Sequence, residues 1–260
     1  PKDHTVVVKV DVTAEQLTYK AMRAGQVRAS CHWHDRQADI HVAGANAAGG
    51  QVQGDAVLWP DVNGLFLVPQ LTGVQASQLL TAFGVPSDIL TGALNGGGQI
   101  YMPDRHQWKS PAHWQAQLSL AIADGVAQRI PILVRLWSAV TLQSVLKLQM
   151  PSLPNEGLTF SSLTGDFAIG NGMAVTKNLS LDSSAVRLDA NGEINLAERT
   201  LNLKTSLSLL HGITSSVAKV PLAGEVLARG ADFLTTVPFR VSGPYHDPSV
   251  MPLVVDLGSR

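Results

Sequence analysis

Cys31-His32-Trp33-His34-Asp35, with His41 close behind, is the one run in this 260-residue chain that gathers metal-binding residue types. His32 and His34 are two positions apart, so an extended strand presents both on one face. A tetrahedral zinc site takes four ligands, usually as two separated pairs. Here there is a single cysteine and no second pair at useful spacing, so the ligand count points to a solvated, histidine-rich strand end and no metal. Nucleophilic and phosphate chemistry also lack their motifs. There is no Gly-x-Ser-x-Gly elbow, no His-Glu-x-x-His, and no glycine loop followed by Lys-Ser/Thr. Gly96-Gly97-Gly98 leads into Gln99-Ile100-Tyr101 and reads as the start of a strand. Gly165 to Gly172 lacks the strand, glycine loop and helix order of a dinucleotide site. Asp35 and Asp39 read as surface charges, and the 8 histidines are scattered. No constellation converges, so the expectation is a protein without catalytic residues, metal or cofactor.

The elements that would have to position any site carry a stronger signal. Between Asn178 and Leu209, apolar residues occupy alternate positions in four short runs: Leu179/Leu181, Val186/Leu188/Ala190, Ile194/Leu196 and Leu201/Leu203/Leu207/Leu209. Polar residues fill the positions between. Period-two alternation of this kind predicts an antiparallel sheet with one buried and one solvated face. Val6/Val8/Val10/Val12, Val27/Ala29/Cys31/Trp33 and Ala38/Ile40/Val42 follow the same rule near the amino terminus. Gly49-Gly50 predicts a turn, Gly54 a bulge, and Ala56–Trp59 and Leu65–Val68 short strands. Further turns are predicted at Gly170-Asn171-Gly172, Asp182-Ser183-Ser184 and Asn191-Gly192.

Helical spacing occurs in three places. Ala76–Phe83 predicts a short helix stopped by Gly84 and Pro86. Ile130–Leu148 carries Leu133, Leu136, Trp137, Val140 and Val145 at three- and four-residue spacing, which predicts an amphipathic helix on the apolar side of the sheet, closed by Pro151 and Pro154. His211–Phe233 predicts a last helix, broken near Pro221 and Gly224. The fold class is therefore mostly β: a long curved antiparallel sheet, a half-barrel or taco-like groove, with a few amphipathic helices on its apolar side. It reads as one domain over residues 1–260, in which 1–150 and 151–260 could each form half of the sheet, with no Ser-rich linker between them.

Composition agrees. A formal net charge of −1 is not a nucleic-acid footprint. Charged residues make up 15%, against roughly 25% in ordinary soluble domains, while 45% are hydrophobic and only 5% aromatic, so the apolar face is aliphatic. One cysteine allows no intrachain disulfide. The chain opens on Pro1-Lys2-Asp3-His4 with no signal peptide and no run of about 18 apolar residues, and it reads as a piece of a longer protein. Alternation reports burial and not what does the burying, so a closed core and an open groove both fit it.

Several segments resemble a known family. Gly157-Leu158-Thr159-Phe160 through Leu163-Thr164-Gly165-Asp166-Phe167-Ala168-Ile169 is similar to a strand pair of AsmA-like carboxy-terminal domains. Asn191-Gly192-Glu193-Ile194-Asn195-Leu196 with Arg199-Thr200-Leu201 resembles that family's Gly-x-Ile-Asp-Leu hairpin, with asparagine where aspartate is usual. Val241-Ser242-Gly243 to Asp247-Pro248 resembles its closing motif, and Ala47-Ala48-Gly49-Gly50 to Gly54 an upstream hairpin. The AsmA-like family is related to TamB and YhdP and to the bridge-like lipid-transfer proteins.

The resemblance implies a long curved sheet with a hydrophobic concave face, tethered to the bacterial inner membrane by a helix absent from this chain. Its implied role is to carry phospholipid or another acyl lipid across the periplasm toward the outer membrane. The lipid-lining residues it implies are Val6, Val8 and Val10, Leu158 and Phe160, Phe167 and Ile169, Leu179 and Leu181, Val186 and Leu188, Ile194 and Leu196, and Leu201 and Leu203, with Leu136 and Val140 from the middle helix. The alternative is a closed sheet whose edge strands pair with a partner in outer-membrane biogenesis.

Overall fold

The computed structural model describes residues 8–19, 22–34, 36–82, 86–106, 108, 110–128, 132–136, 157–184, 186–209 and 236–253. Among these residues thirteen strands form one antiparallel sheet in sequence order. They are β1 (Val8–Tyr19), β2 (Met22–His34), β3 (Gln37–Ala47), β4 (Gly50–Trp59), β5 (Gly64–Gln75), β6 (Ala93–Met102), β7 (Gln115–Ala127), β8 (Leu158–Gly170), β9 (Met173–Asp182), β10 (Val186–Asn195), β11 (Thr200–Leu209), β12 (Thr236–Pro244) and β13 (Ser249–Pro252). Each strand pairs only with its sequence neighbours and β1 never meets β13, so the sheet is open. The mostly-β class expected from alternation, an antiparallel sheet, is the observed one. Residues before and after the 129–156 connection belong to the same sheet, because β7 and β8 pair from Ala116–Ile169 to Ala127–Leu158.

Helix is scarce. α1 (Ala76–Ala82) forms where the short amphipathic segment predicted it, and a 3-10 turn spans Pro111–His113. Of the expected Ile130–Leu148 helix, residues 132–136 are helical; 137–148, and the whole expected helix at 211–233, lie outside the described residues.

Local chemistry explains the hairpins. Asn171 and Gly172 join β8 to β9 with φ of 51° and 76°. Two left-handed residues in succession give the turn whose twist matches that of the flanking strands. Asn191-Gly192, expected to be another turn, instead lies inside β10, so the runs at Val186–Ala190 and at Ile194 are one strand and not two. Gly192 bends that strand without ending it. Its φ is 140°, and a Cβ there would sit 2.3 Å from the Asn202 carbonyl oxygen. Gly98 does the same within β6, at φ 152° and 2.0 Å from the Gln117 oxygen. The glycine run 96–98 is thus mid-strand, not a strand start.

The bulge expected at Gly54 appears on the neighbouring strand, where the β3–β4 register shifts between Val42 and Ala45. Further shifts fall between Leu71 and Val74 and between Thr164 and Phe167. Bulges and glycine kinks are the means by which a sheet curves instead of staying flat. The strands expected at Ala56–Trp59 and Leu65–Val68 are parts of the longer β4 and β5, because both continue through the pairing at Val52–Leu71.

Substituting Gly98→Ala or Gly192→Ala should cost about 1–3 kcal/mol each, the usual range for forcing a side chain into a strained backbone region. Gly170→Ala, which has open space around its Cβ, should stay within about 0.5 kcal/mol. Urea unfolding of the three variants checks this, and equal midpoints would contradict the kinks.

Candidate functional site

Antiparallel pairing places direct partners on the same side of the sheet. Following the partners from β1 gives Val10, Cys31, Ile40, Ala56, Leu67, Ile100, Ala116, Ile169, Ala174, Ile194 and Leu201, an unbroken apolar row across eleven strands. A parallel row runs Leu94, Ile122, Leu163, Leu181, Leu188, Leu207 and Val237. The candidate site is this face.

The face is not equally covered along its length. At the β1 edge and the Trp33 end of β2 it is open, with Val8 46% exposed, Val10 47%, Val12 41% and Trp33 40%, while Val27 farther along β2 is buried. Ile40, Ala56, Leu67, Ile100, Phe167 and Ile169 are half-buried. By β11 and β12 it is closed, with Leu203 at 5% and Phe239 and Val241 at 0%.

Among the described residues, side chains of the 132–136 helix take part in the closing. Leu136, 2% exposed, packs into one cluster with Val186, Leu201, Leu203, Leu207, Phe239 and Val241, and Ile132 lies against it. Arg135 on the same short helix pairs with Asp247 in the β12–β13 turn. A second cluster holds Val74, Ala76, Leu94, Ile122, Ala127, Phe160 and Leu181, with Leu79 of α1 and Leu133 against it. Both helical pieces therefore sit on the apolar side.

The residues expected to line the groove fall into groups. Val8 and Val10 are on the open part. Leu158, Phe167, Ile169, Leu179, Leu188 and Ile194 are half-buried, and Phe160, Leu181, Val186, Leu201, Leu203 and Leu136 are buried. Leu196 lies past the end of β10, in the turn before β11, where its N–H donates to the Gly172 carbonyl at 2.8 Å. Val6 and Val140 lie outside the described residues.

Phe160 and Leu163 are an odd number of residues apart, yet both contribute to the second cluster. Opposite them Asp124 has a φ of 49°, and Asp124 and Ser161 are skipped in the ladder. The irregularity resets the alternation, which simple parity would not show. Ala116, Leu118, Leu120 and Ile122 of β7 and Val237, Phe239 and Val241 of β12 also belong to this face, beyond the residues expected to line it. Their own period-two spacing was the available signal.

The other face is largely polar and internally paired, with an apolar patch of Val57, Trp59, Phe66 and Tyr101 on β4 to β6. Arg187 reaches Asp182 at 3.6 Å and Asp189 at 3.2 Å, and the Ser180 hydroxyl donates to Asp189 at 2.7 Å. Hydrogen bonds from the Ser119 hydroxyl, and then from the Asn178 amide, hold the Asp166 carboxyl below the usual carboxylate range. The histidine cluster belongs here too. His34 Nε2 lies 2.5 Å from Asp39 Oδ2, and His41 Nδ1 lies 2.7 Å from Asp55 Oδ1. Among the described residues no group of three or more His, Cys, Asp or Glu side chains could hold a metal ion.

The family model for the YhdP protein matches residues 3–250. The chain belongs to the YhdP family. No curated protein matches the chain, and no solved structure does. Membership of the YhdP family points to a bridge-like protein of the lipid-transfer type, which agrees with a face built from aliphatic rows. Among the described residues no helix is long and apolar enough to cross a membrane.

The two faces can be told apart by neighbouring substitutions. Leu188→Asp places a charge between Leu181 and Leu207, against both clusters, and should cost at least about 2 kcal/mol. Arg187→Ser removes only exposed ion pairs and should cost less than about 1 kcal/mol. Denaturant titration measures both, and equal losses would mean that the register is slipped by one residue.

Proposed function

We propose that this chain is a non-enzymatic lipid-handling domain whose apolar trough shields acyl chains, and that it supports phospholipid transport through the periplasm between the inner and outer membranes of a Gram-negative bacterium. The observation that carries this reading is the aliphatic row from Val10 to Leu201 on a sheet that does not close, with its amino-terminal part exposed. The YhdP family, generally one of non-enzymatic lipid transport, supports it.

The physics of the task needs no catalytic group. Moving a lipid through water exposes its chains at about 0.8 kcal/mol per methylene, on the order of 24 kcal/mol for roughly 30 methylenes. An aliphatic surface that follows the chain removes most of that cost, and valine and leucine rows do so without holding any one position tightly. Thirteen strands at about 4.8 Å spacing give a trough about 58 Å long. That suits one stretch of a longer conduit.

The burial of Leu201, Leu203 and Phe239 beneath Leu136 favours a second reading for the carboxy-terminal part alone. There the sheet acts as a closed module, and an edge strand pairs with an outer-membrane biogenesis partner.

Photocrosslinking probes in place of Val10 and Val12 should capture acyl lipid in cells, while a probe at Lys9, on the opposite face, should not. Protein-only adducts at Val10 and Val12 would sink the trough reading, and equal lipid capture at all three would indicate nonspecific membrane contact.

A further inference from the structure

Two hydroxyls on the apolar face lack what buried hydroxyls require. Thr176 of β9 is 2% exposed and Thr205 of β11 is 4% exposed, and neither Oγ1 has a hydrogen-bond partner. Buried polar groups are almost always satisfied, and an exception calls for an explanation. Valine has nearly the same shape and no polar atom, so packing alone would favour it at both positions.

Their surroundings are specific. Thr176 stands between Phe167 of β8 and Gly192 of β10, and Thr205 between Ala190 of β10 and Phe239 of β12. None of these four neighbours carries a polar side-chain atom, so neither hydroxyl has a side-chain acceptor beside it. Lys177, Arg187, Lys204 and Arg240 are all exposed. Their alternation with the buried positions turns them toward the polar face, so an anion would find no counter-charge beside the threonines. The group that fits is a neutral acceptor attached to hydrocarbon. β9 and β11 are two strand spacings apart, about 10 Å, so one small group does not serve both hydroxyls.

We propose that the covered carboxy-terminal part of the face is a seat for the ester region of a diacyl lipid: Thr176 and Thr205 each donate a hydrogen bond to an acyl-ester carbonyl while Leu203, Leu207 and Phe239 take the adjoining methylenes. The proposal rests on the lipid-handling reading and deepens it. A diacyl lipid supplies two neutral acceptors at the root of two chains, matching two hydroxyls set into an aliphatic surface. Leu136 lies on the same cluster as those three apolar residues, so a lipid takes the seat by displacing it.

The test compares dioleoylphosphatidylglycerol with its diether analogue, which has the same chains and headgroup but no ester carbonyls. Each is incubated with the purified 260-residue chain and the retained lipid is counted by mass spectrometry. The wild-type chain should retain the diester about tenfold better than the diether, the value of two net hydrogen bonds. Thr176→Val with Thr205→Val should abolish that preference without lowering Tm, and Thr176→Ser with Thr205→Ser should keep it. Retention of both lipids with no preference in the wild-type chain would overturn the seat and leave the trough standing. Equal loss of both lipids in the valine variant would overturn it too, as a packing effect. Retention of neither lipid by the wild-type chain would instead remove the lipid-handling reading on which the seat depends.

Discussion

An open sheet with one apolar face must find something to cover it, and the rest of this structure follows from that constraint. Burying aliphatic surface is the main favourable term available to a fold, and a barrel would satisfy it by closing on itself. Here β1 and β13 are opposite ends of the sheet, and α1 and the 132–136 helix cover only part of the face. Strict pairing between sequence neighbours keeps each apolar row continuous, because a slip of one residue in any ladder would break it. The register shifts between Val42 and Ala45 and between Leu71 and Val74, and glycines at positive φ such as Gly98 and Gly192, are the devices by which a sheet of this kind curves. The polar face, with Arg187 held between Asp182 and Asp189, keeps the outside wet.

Coverage varies along the sheet, from Val10 at 47% exposure on the edge strand β1 to 1% at Val74 of β5 and 0% at Phe239 and Val241 of β12. This difference separates two kinds of behaviour within one fold. The amino-terminal strands offer an aliphatic surface that an acyl chain could reach without any protein group moving. The carboxy-terminal strands offer the same surface beneath a short helix held by Leu136 in the core and by the exposed Arg135–Asp247 pair. Exposed ion pairs contribute little, about 0–1 kcal/mol, so the hydrophobic contact of Leu136 is the stronger hold.

Much of this was legible in the sequence, for a physical reason. Alternation at Val186, Leu188, Leu201 and Leu203 survives in the folded ladder because a half-buried antiparallel strand tolerates little else, and Ala76–Ala82 announced itself by its spacing. Asn191-Gly192 misled because the same dipeptide that makes a hairpin turn also permits a sharp bend within a strand; only the close approach of the Asn202 carbonyl distinguishes the two. The phase change between Phe160 and Leu163 was hidden because its cause, the left-handed Asp124, sits on the neighbouring strand. Thr176 and Thr205 could not be singled out from other threonines, since their burial depends on what covers β9 to β12. The difference in exposure was illegible for the same reason: alternation at Val8 and Val10 looks identical to alternation at Leu201 and Leu203.

The central claim is that the trough holds lipid, and the chain as purified tests it most directly. A mild organic extract of the protein, isolated from a bacterial envelope without detergent exchange, should contain phospholipid in near-stoichiometric amount by mass spectrometry, reduced by a charge placed in the open row at Val10 and unchanged by one at Lys9. An extract free of acyl lipid, or one whose lipid content ignores both substitutions, would contradict the account.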